Sequence, residues 1–97
     1  MAQINITFTN DEVTLVGELT RITITKSFER KSKKLIFNTN MNVDLSQVIK
    51  IDTAGLAWLL CIVEQAILNS CQLTFTNIPQ ELHKLASLSG VDSFIPK

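Results

Sequence analysis

The sequence predicts one α/β domain whose elements follow the order β-β-α-β-α-β-α. In several short segments apolar residues alternate with polar ones, as in strands with one buried face. In other segments they recur every three or four residues, as in helices. Because strands alternate with helices after an initial hairpin, we expect a mixed four-stranded sheet with a parallel portion and helices mainly on one face. A chain of 97 residues is long enough for one hydrophobic core and too short for a second, so we assign residues 1–97 to one domain.

The hairpin is predicted at the start of the chain. Residues 4–8 alternate apolar and polar side chains, and residues 13–19 continue with the same period after the polar turn at residues 10–12. Gly17 lies inside the second of these strands. A glycine within a strand indicates a bulge or a close approach of two backbones.

A first helix and a further strand are predicted next. In "TRITIT" Ile22 and Ile24 alternate as in a strand, whereas residues 26–34 are rich in helix formers and contain no helix breaker, so we predict a helix at residues 23–34. A polar loop at residues 38–42 then leads to a strand at residues 43–46. After it, Ile49 and Ile51 form a second short apolar pair.

The second half of the chain predicts two helices on either side of a strand. Residues 53–70 carry apolar residues at helical spacing, and residues 72–77 alternate as in a strand. Pro79 suits the first turn of the last helix, and Gly90 ends that helix. Three apolar residues are expected to anchor the tail: Val91, Phe94 and Ile95.

The charges and the hydropathy limit the classes of function. Nine basic residues balance nine acidic ones, so no overall field attracts nucleic acid or anionic lipid. The start of the chain lacks the layout of a signal peptide. The longest apolar run, residues 56–63, is far shorter than the roughly twenty residues of a membrane span. We therefore expect a cytoplasmic protein in which Cys61 and Cys71 are free thiols.

One segment concentrates the positive charge. Six of the nine positive residues lie within it: Arg21, Lys26, Arg30, Lys31, Lys33 and Lys34. A stripe that binds nucleic acid would interleave aromatic or amide side chains for base contacts, and only Phe28 is nearby. We interpret the segment as a solvated helix face, with contact to an acidic partner or to lipid headgroups as the alternative.

Residues that could form a catalytic or cofactor site are not grouped in the sequence. The three glycines are far apart, which excludes the clustered-glycine loops that bind nucleotide phosphates. The two cysteines lie in or beside apolar stretches, without the basic neighbours that activate a thiol. His83 is the only histidine, so it and the cysteines cannot complete a four-ligand zinc site. We expect no enzymatic activity, no cofactor and no metal.

The stretch "KIDTAGLAWLL", residues 50–60, is expected to begin a helix. Asp and Thr side chains accept hydrogen bonds from the free amides of a first turn, so Asp52 and Thr53 are expected to provide a cap that contributes about 1 kcal/mol. The same free amides and the positive end of the helix dipole stabilise an anion. A phosphate on Thr53 would be tolerated there, so this hydroxyl suits either a switch or a direct contact with a partner.

The helix predicted at residues 53–70 is apolar on two sides. One face is assigned to the sheet: Leu56, Leu59, Leu60, Val63 and Ile67. The opposite half holds Ala57, Trp58, Cys61, Ile62, Gln65 and Leu68. A helix that only covers a sheet needs one apolar side, and an exposed Trp58 beside Ile62 would form a patch typical of a partner surface. The alternative is that the C-terminal tail covers this side.

The stretch "VDLSQVIKIDTAGLAWLL" resembles the signature of STAS domains. In that family a short strand and a loop are followed by Asp-[Ser/Thr]-x-Gly-Leu at the start of a helix. The segments "LVGEL" and "LTFTNIPQELHKLASLSGV" also lie where the family has its second strand, its last core strand and the helix that follows. The resemblance covers nearly the whole chain and implies a STAS-like fold.

Two branches of this family imply different functions. In anti-sigma-factor antagonists a partner kinase phosphorylates the hydroxyl residue after the aspartate, which releases an anti-sigma factor; Thr53 would be the phospho-acceptor. In the MlaB-like branch a small bacterial cytoplasmic subunit binds the ATPase of the Mla phospholipid ABC transporter. The length of the chain, the threonine in place of serine and the apolar stretch "GLAWLLCIVEQA" resemble the second branch.

The MlaB-like resemblance implies a non-enzymatic subunit that supports intermembrane phospholipid transport. Such a subunit lies at the inner membrane only through its complex with the transporter, and it binds no nucleic acid. Its partner surface is expected to contain Asp52, Thr53, Ala54, Gly55, Ala57, Trp58, Cys61 and Ile62. The apolar outer face of the helix could also pair with a second copy of the chain.

Overall fold

The protein folds as a four-stranded sheet with three helices, and the computed structural model describes residues 2–9, 11–35, 37 and 39–97. The strands are β1 (Ile4–Phe8), β2 (Glu12–Leu19), β3 (Asn40–Ile51) and β4 (Gln72–Thr76). The helices are α1 (Lys26–Ser32), α2 (Thr53–Leu68) and α3 (Gln80–Leu88), and a short 3₁₀ turn follows at Asp92–Phe94. The predicted order β-β-α-β-α-β-α is confirmed.

The sheet is mixed, as expected from the order of the elements. Its strands lie in the order β1-β2-β3-β4. β1 pairs antiparallel with β2, whereas β2, β3 and β4 run parallel. The inward side chains of β2 and β3, such as Leu15 and Val43, join Leu59 of α2 and Leu82 of α3 in one core. The carboxyl ends of β2 and β3 therefore meet at the edge of the sheet where α2 begins.

β3 is one strand of twelve residues, where the sequence predicts a short strand and a separate apolar pair. Its register with β2 shifts at two places, and each shift inserts an extra residue into β3. The buried positions Leu45, Val48 and Ile51 are consequently three residues apart, which hides the period of two. β3 also begins at Asn40, inside the predicted loop, of which Asn38 lies outside the described residues.

Gly17 has both features predicted for it. Its φ of 118° lies in the region that favours glycine, and one of the register shifts with β3 follows it directly. A Cβ atom at this position would overlap the carbonyl oxygen of Gln3, which accepts a hydrogen bond from the N–H of Glu18 at 2.8 Å. Asn10, in the predicted turn before β2, lies outside the described residues.

α1 is shorter than predicted at both ends, with seven residues. Thr25 is its N-cap, and its hydroxyl accepts a hydrogen bond from the N–H of Phe28 at 3.2 Å. Before the cap, the hydroxyl of Thr23 donates to the carbonyl oxygen of Glu18 at 2.6 Å and accepts from the N–H of Thr20 at 3.0 Å. These bonds fold the segment after β2 into a turn in place of the first turn of the predicted helix.

α1 covers Trp58 of α2. The rings of Phe28 and Trp58 lie 5.0 Å apart between centroids at an angle of 46°, and Trp58 is only 8% exposed. Leu35, which follows α1, and Ile62 are buried in the same core. The expected exposure of Trp58 and Ile62 is therefore wrong. This side of α2 is covered by α1, whereas the alternative given above was that the C-terminal tail covers it.

The buried face of α2 differs from the predicted one. Its buried residues are Gly55, Leu56, Trp58, Leu59, Ile62 and Ala66. Ile67, which was assigned to the sheet, is 71% exposed, and Leu60 and Val63 are half-buried. The stripe that faces the core is therefore rotated toward Trp58 and Ile62.

The C-terminal tail packs along β4. Ile95 is buried, and the carbonyl oxygen of Pro96 accepts a hydrogen bond from the N–H of Phe75 in β4 at 2.6 Å. Val91 is half-buried, whereas Phe94 is 62% exposed. The prediction that Phe94 anchors the tail is therefore wrong, because the turn at Asp92–Phe94 directs its side chain away from the core.

Replacement of Trp58 by Ala is expected to lower the free energy of unfolding by about 3–5 kcal/mol, because a large ring is removed from a closed core. Urea denaturation followed by circular dichroism measures the change. The matched control is Cys61→Ala on the exposed side of the same helix, for which we expect a change within about 0.5 kcal/mol. Equal losses for the two variants would contradict the burial of Trp58 beneath α1.

Candidate partner-binding site at the start of the central helix

Asp52 connects the start of α2 to the segment that follows β2. It is the N-cap of α2, and its Oδ1 accepts a hydrogen bond from the N–H of Gly55 at 3.0 Å. Its Oδ2 accepts a second hydrogen bond, from the N–H of Arg21, also at 3.0 Å. One carboxylate thus satisfies a free amide of the helix and an amide of another segment, so Asp52 fixes the position of the helix start as well as capping it.

Gly55 allows α2 to approach β2 closely. A Cβ atom at this position would overlap the carbonyl oxygen of Leu19, the last residue of β2, and would also come within 2.9 Å of the Ile51 side chain. The same carbonyl oxygen accepts a hydrogen bond from the N–H of Asp52 at 3.4 Å. Any larger residue at position 55 would push the first turn of α2 away from the sheet.

The environment of Asp52 favours its ionised form. Desolvation by burial would by itself raise the pKa of Asp52. Hydrogen bonds from the backbone N–H groups of Arg21, Gly55 and Ala54, together with the charge of the Arg21 guanidinium, outweigh this effect and lower the pKa below its ordinary value of 3.8. The carboxylate is therefore charged at neutral pH and accepts both hydrogen bonds.

Three of the predicted partner-binding residues form an exposed row along α2. Thr53, Ala57 and Cys61 follow one another at intervals of four residues, and all three are exposed. Residues at this spacing lie next to one another on one side of a helix. Because their side chains are small, the backbone of a partner could approach this side of α2 closely.

The other predicted residues do not belong to this row. Ala54 is half-buried, and Gly55, Trp58 and Ile62 are buried. Trp58 and Ile62 do line the floor of an open groove of about 720 Å³ between α1 and α2, which Cys61 also borders. Trp58 and Ile62 pack in the core beneath the exposed row and contribute little accessible surface to the site.

Two exposed apolar residues at the same end of the sheet were not predicted from the sequence. Ile22, in the turn after β2, is 68% exposed, and Ile49, near the end of β3, is 80% exposed. Since β2 and β3 run parallel, both lie at the end where α2 starts. The exposure of Ile22 could not be predicted because "TRITIT" alternates as a strand does. The exposure of Ile49 could not be predicted because the bulges in β3 change which positions face outward.

Asp44, Cys71 and His83 lie outside the candidate site. Asp44 accepts a hydrogen bond from the side-chain amide of Asn77 at 3.0 Å and another from the N–H of Ser46 at 2.9 Å, and these bonds lower its pKa. Cys71 is buried, which raises the pKa of its thiol, and His83 is exposed on α3. Cys61 and Cys71 are both free thiols, as predicted.

The sequence matches the protein family described as "Mlab, STAS domain" over residues 2–96. The chain belongs to the MlaB-type STAS domain family. A search of curated proteins found no match. In this STAS domain the Asp-Thr-x-Gly-Leu signature is the start of α2, where Asp52 and Gly55 hold the helix against β2 and Thr53 lies exposed between them.

The helices of this STAS domain are short. Within the described ranges, no helix has both the length and the apolar character needed to cross a bilayer. The longest of the three, α2, has 16 residues.

Gly55→Ala is expected to reduce the free energy of unfolding by about 1–3 kcal/mol, because the added methyl group overlaps a backbone oxygen that cannot move independently of β2. Thermal and urea unfolding measure the loss. Thr53→Ala, an exposed change in the same turn, is the control and should alter stability by no more than about 0.5 kcal/mol. A fully stable Gly55→Ala variant would show that the close contact with Leu19 is absent in solution.

The lowered pKa of Asp52 predicts a dependence of stability on pH. The folded state holds the carboxylate more acidic than the unfolded state does, so its contribution is fully present above pH 3.8 and is lost as the pH falls through the folded pKa. Asp52→Asn keeps a cap but removes the titrating group. The stability gap between wild type and Asp52→Asn should therefore be constant near neutral pH and shrink only as the pH falls through and below 3.8, as urea denaturation at a series of pH values would measure. A gap that stays constant down to acid pH would contradict the shift.

Proposed function

We propose that this STAS domain is a non-enzymatic subunit that binds the ATPase of a phospholipid (Mla-type) ABC transporter. In this role it supports the assembly or activity of the transporter in intermembrane lipid transport. The observation that carries the proposal is the exposed row Thr53, Ala57 and Cys61, which begins at the family signature and is held rigidly by Asp52 and Gly55. Membership in the MlaB-type family supports the choice of partner.

The row suits a protein partner for a physical reason. Small side chains on a helix lose little conformational entropy when they are covered, and the hydrogen bonds of Asp52 position the helix before the partner arrives. In the complex the Thr53 hydroxyl would form a hydrogen bond with the ATPase, while Ala57 and Cys61 would pack against it. Arg21, whose N–H donates to Asp52, lies beside the start of the row and would extend the contact.

Binding would act on the transporter by mass action. A subunit that binds the assembled ATPase more tightly than the separated one shifts the equilibrium toward the assembled form. No catalytic group, cofactor or metal is needed for this effect. The protein would lie on the cytoplasmic side of the inner membrane through its complex with the transporter.

The exposure of Thr53 also supports a second candidate, an anti-sigma-factor antagonist regulated by phosphorylation of Thr53. Thr53 is the first residue of α2, and its side chain is exposed and therefore accessible to a kinase. Phosphorylation of its hydroxyl would add about two negative charges to the partner surface. Incubation with serine/threonine kinases of the same organism, followed by intact mass spectrometry, tests it. A phosphate that is gained by wild type and lost in Thr53→Val would support this function over the first.

Ala57→Arg is expected to weaken binding to the ATPase subunit by about tenfold or more, since a long charged side chain in the middle of the row prevents close packing. Binding of the purified proteins is measured by biolayer interferometry. The matched control is Ser87→Arg, which places the same side chain on an exposed position of α3 and should leave affinity within about twofold.

Both variants must first show the unfolding midpoint of wild type, because only then does a change in affinity report on the surface. If Ala57→Arg and Ser87→Arg bind the ATPase equally well, the row on α2 is not the docking site. If wild type fails to bind any Mla-type ATPase of its own organism, the proposed function is wrong.

A further inference from the structure

β1 forms one edge of the sheet, and its outer side is open within the described part of the chain. β1 pairs with β2 and with no other strand there. At the opposite edge the tail covers part of β4, because the carbonyl oxygen of Pro96 accepts the N–H of Phe75. An uncovered edge presents unpaired N–H and C=O groups and is a template for a further strand.

The hydrogen bonds to β2 show which backbone groups of β1 point outward. The N–H of Thr9 donates to the carbonyl oxygen of Glu12 at 2.9 Å. At the other end, the N–H of Glu18 donates to the carbonyl oxygen of Gln3 at 2.8 Å. Along an antiparallel pair, residues alternate between bonding to the neighbouring strand and pointing away from it. The outward-pointing residues are Ile4, Ile6 and Phe8.

This edge lacks the features that usually prevent the addition of a strand. Residues 2–9 contain no charged residue and no proline, both of which natural proteins place on open edges. Ile4 and Ile6 are only half-buried, and Phe8 is 42% exposed. An added strand would therefore bury apolar surface as well as pair backbone groups.

α1 brings positive charge next to the same edge. An open groove of about 360 Å³ lies between α1 and the first half of β1. Its lining includes Gln3, Ile4, Asn5, Ser27 and Lys31. Further basic residues on or directly after α1 are exposed: Lys26, Arg30, Lys33 and Lys34. Lys31 is the basic residue that lines this groove, whereas Glu29 and Lys33 line the groove between α1 and α2. Since Glu29 is the only acidic residue between positions 19 and 43, α1 and its surroundings carry a net positive charge.

The charge distinguishes between two occupants of the edge. A second copy that paired its own β1 here would place its α1 on the same face of a continuous sheet, so two basic helices would face each other. An extended segment rich in glutamate or aspartate would instead complement the charge of α1. The acidic segment is therefore the better fit.

We propose that the outer edge of β1 binds an extended acidic segment of a partner protein. The segment adds to the sheet as a further strand, forms main-chain hydrogen bonds with Ile4, Ile6 and Phe8, and places a carboxylate near Lys31 in the groove. This site is separate from the exposed row on α2, so it does not depend on the ATPase being the partner.

The test is a titration of nitrogen-15-labelled protein with a blocked peptide of alternating threonine and glutamate, about eight residues long. We expect saturable shifts of the backbone amide signals of Ile4, Ile6 and Phe8. A peptide of alternating threonine and lysine of the same length should bind at least about fivefold more weakly. Absence of shifts at about 1 mM acidic peptide, or equal binding of the two peptides, would overturn the proposal.

Two pairs of variants locate the binding. Ile6→Pro removes an outward N–H without removing a hydrogen bond to β2 and should weaken the peptide about tenfold, whereas Ile6→Val should retain binding. Lys31→Glu should weaken it about fivefold, and Lys84→Glu, which changes the net charge equally on α3, should have less than about a twofold effect. The second pair decides the outcome if Ile6→Pro does not fold.

Other occupants give different results in the same set of measurements. Sedimentation that shows a dimer of wild type, abolished in Ile6→Pro, would assign the edge to a second copy and overturn the acidic segment. Binding to phosphatidylglycerol vesicles through α1, with no response of the β1 amides to the acidic peptide, would assign the charge to a lipid surface and overturn it as well.

Discussion

The contact between the first turn of α2 and the end of β2 determines how this protein presents its signature residues. Gly55 lets the helix lie directly against the carbonyl oxygen of Leu19, and Asp52 accepts hydrogen bonds from both Gly55 and Arg21. The helix start cannot slide along the strand without breaking these bonds or creating an overlap. The aspartate and the glycine of the motif are therefore explained by the fold alone. Thr53 lies exposed between them and remains available to another molecule.

α1 decides which side of α2 stays accessible. Phe28 packs on Trp58, and this contact removes from the surface the largest apolar side chain of α2. The exposed part of the helix near its start is thereby reduced to the small residues of the row. A docking surface built from small side chains depends on a precise helix position more than on the area of any single residue. The row proposed here meets that requirement, because it starts at the part of α2 that Asp52 and Gly55 fix in place.

The order of elements could be predicted because it rests on local signals: alternation in the hairpin, Asp52 before an apolar run, and Pro79 before the last helix. The faces of α2 could not, because a helix that is apolar around most of its circumference has no unique stripe. Its burial is decided by α1, in which Phe28 is the one large apolar residue. The bulges of β3 similarly break the period of two, so Ile49 faces solvent at a position where a regular strand would not predict it. Thr53 was predicted from the motif, and Ala57 and Cys61 from their place on the side of the helix opposite the predicted core face. Their separation from Trp58 and Ile62 could be seen only in the tertiary packing.

The two proposed surfaces would recognise a partner by different means, and α1 contributes to both. The row on α2 offers the shape of fixed side chains, whereas the edge of β1 offers backbone groups that any sequence could pair with. Specificity at the edge must therefore come from the charges of α1. Those charges oppose formation of so short a helix, because Lys26 and Arg30 are like charges one turn apart. The Thr25 cap and the burial of Phe28 against Trp58 offset this repulsion, so the same packing that closes the core also holds Lys31 beside β1.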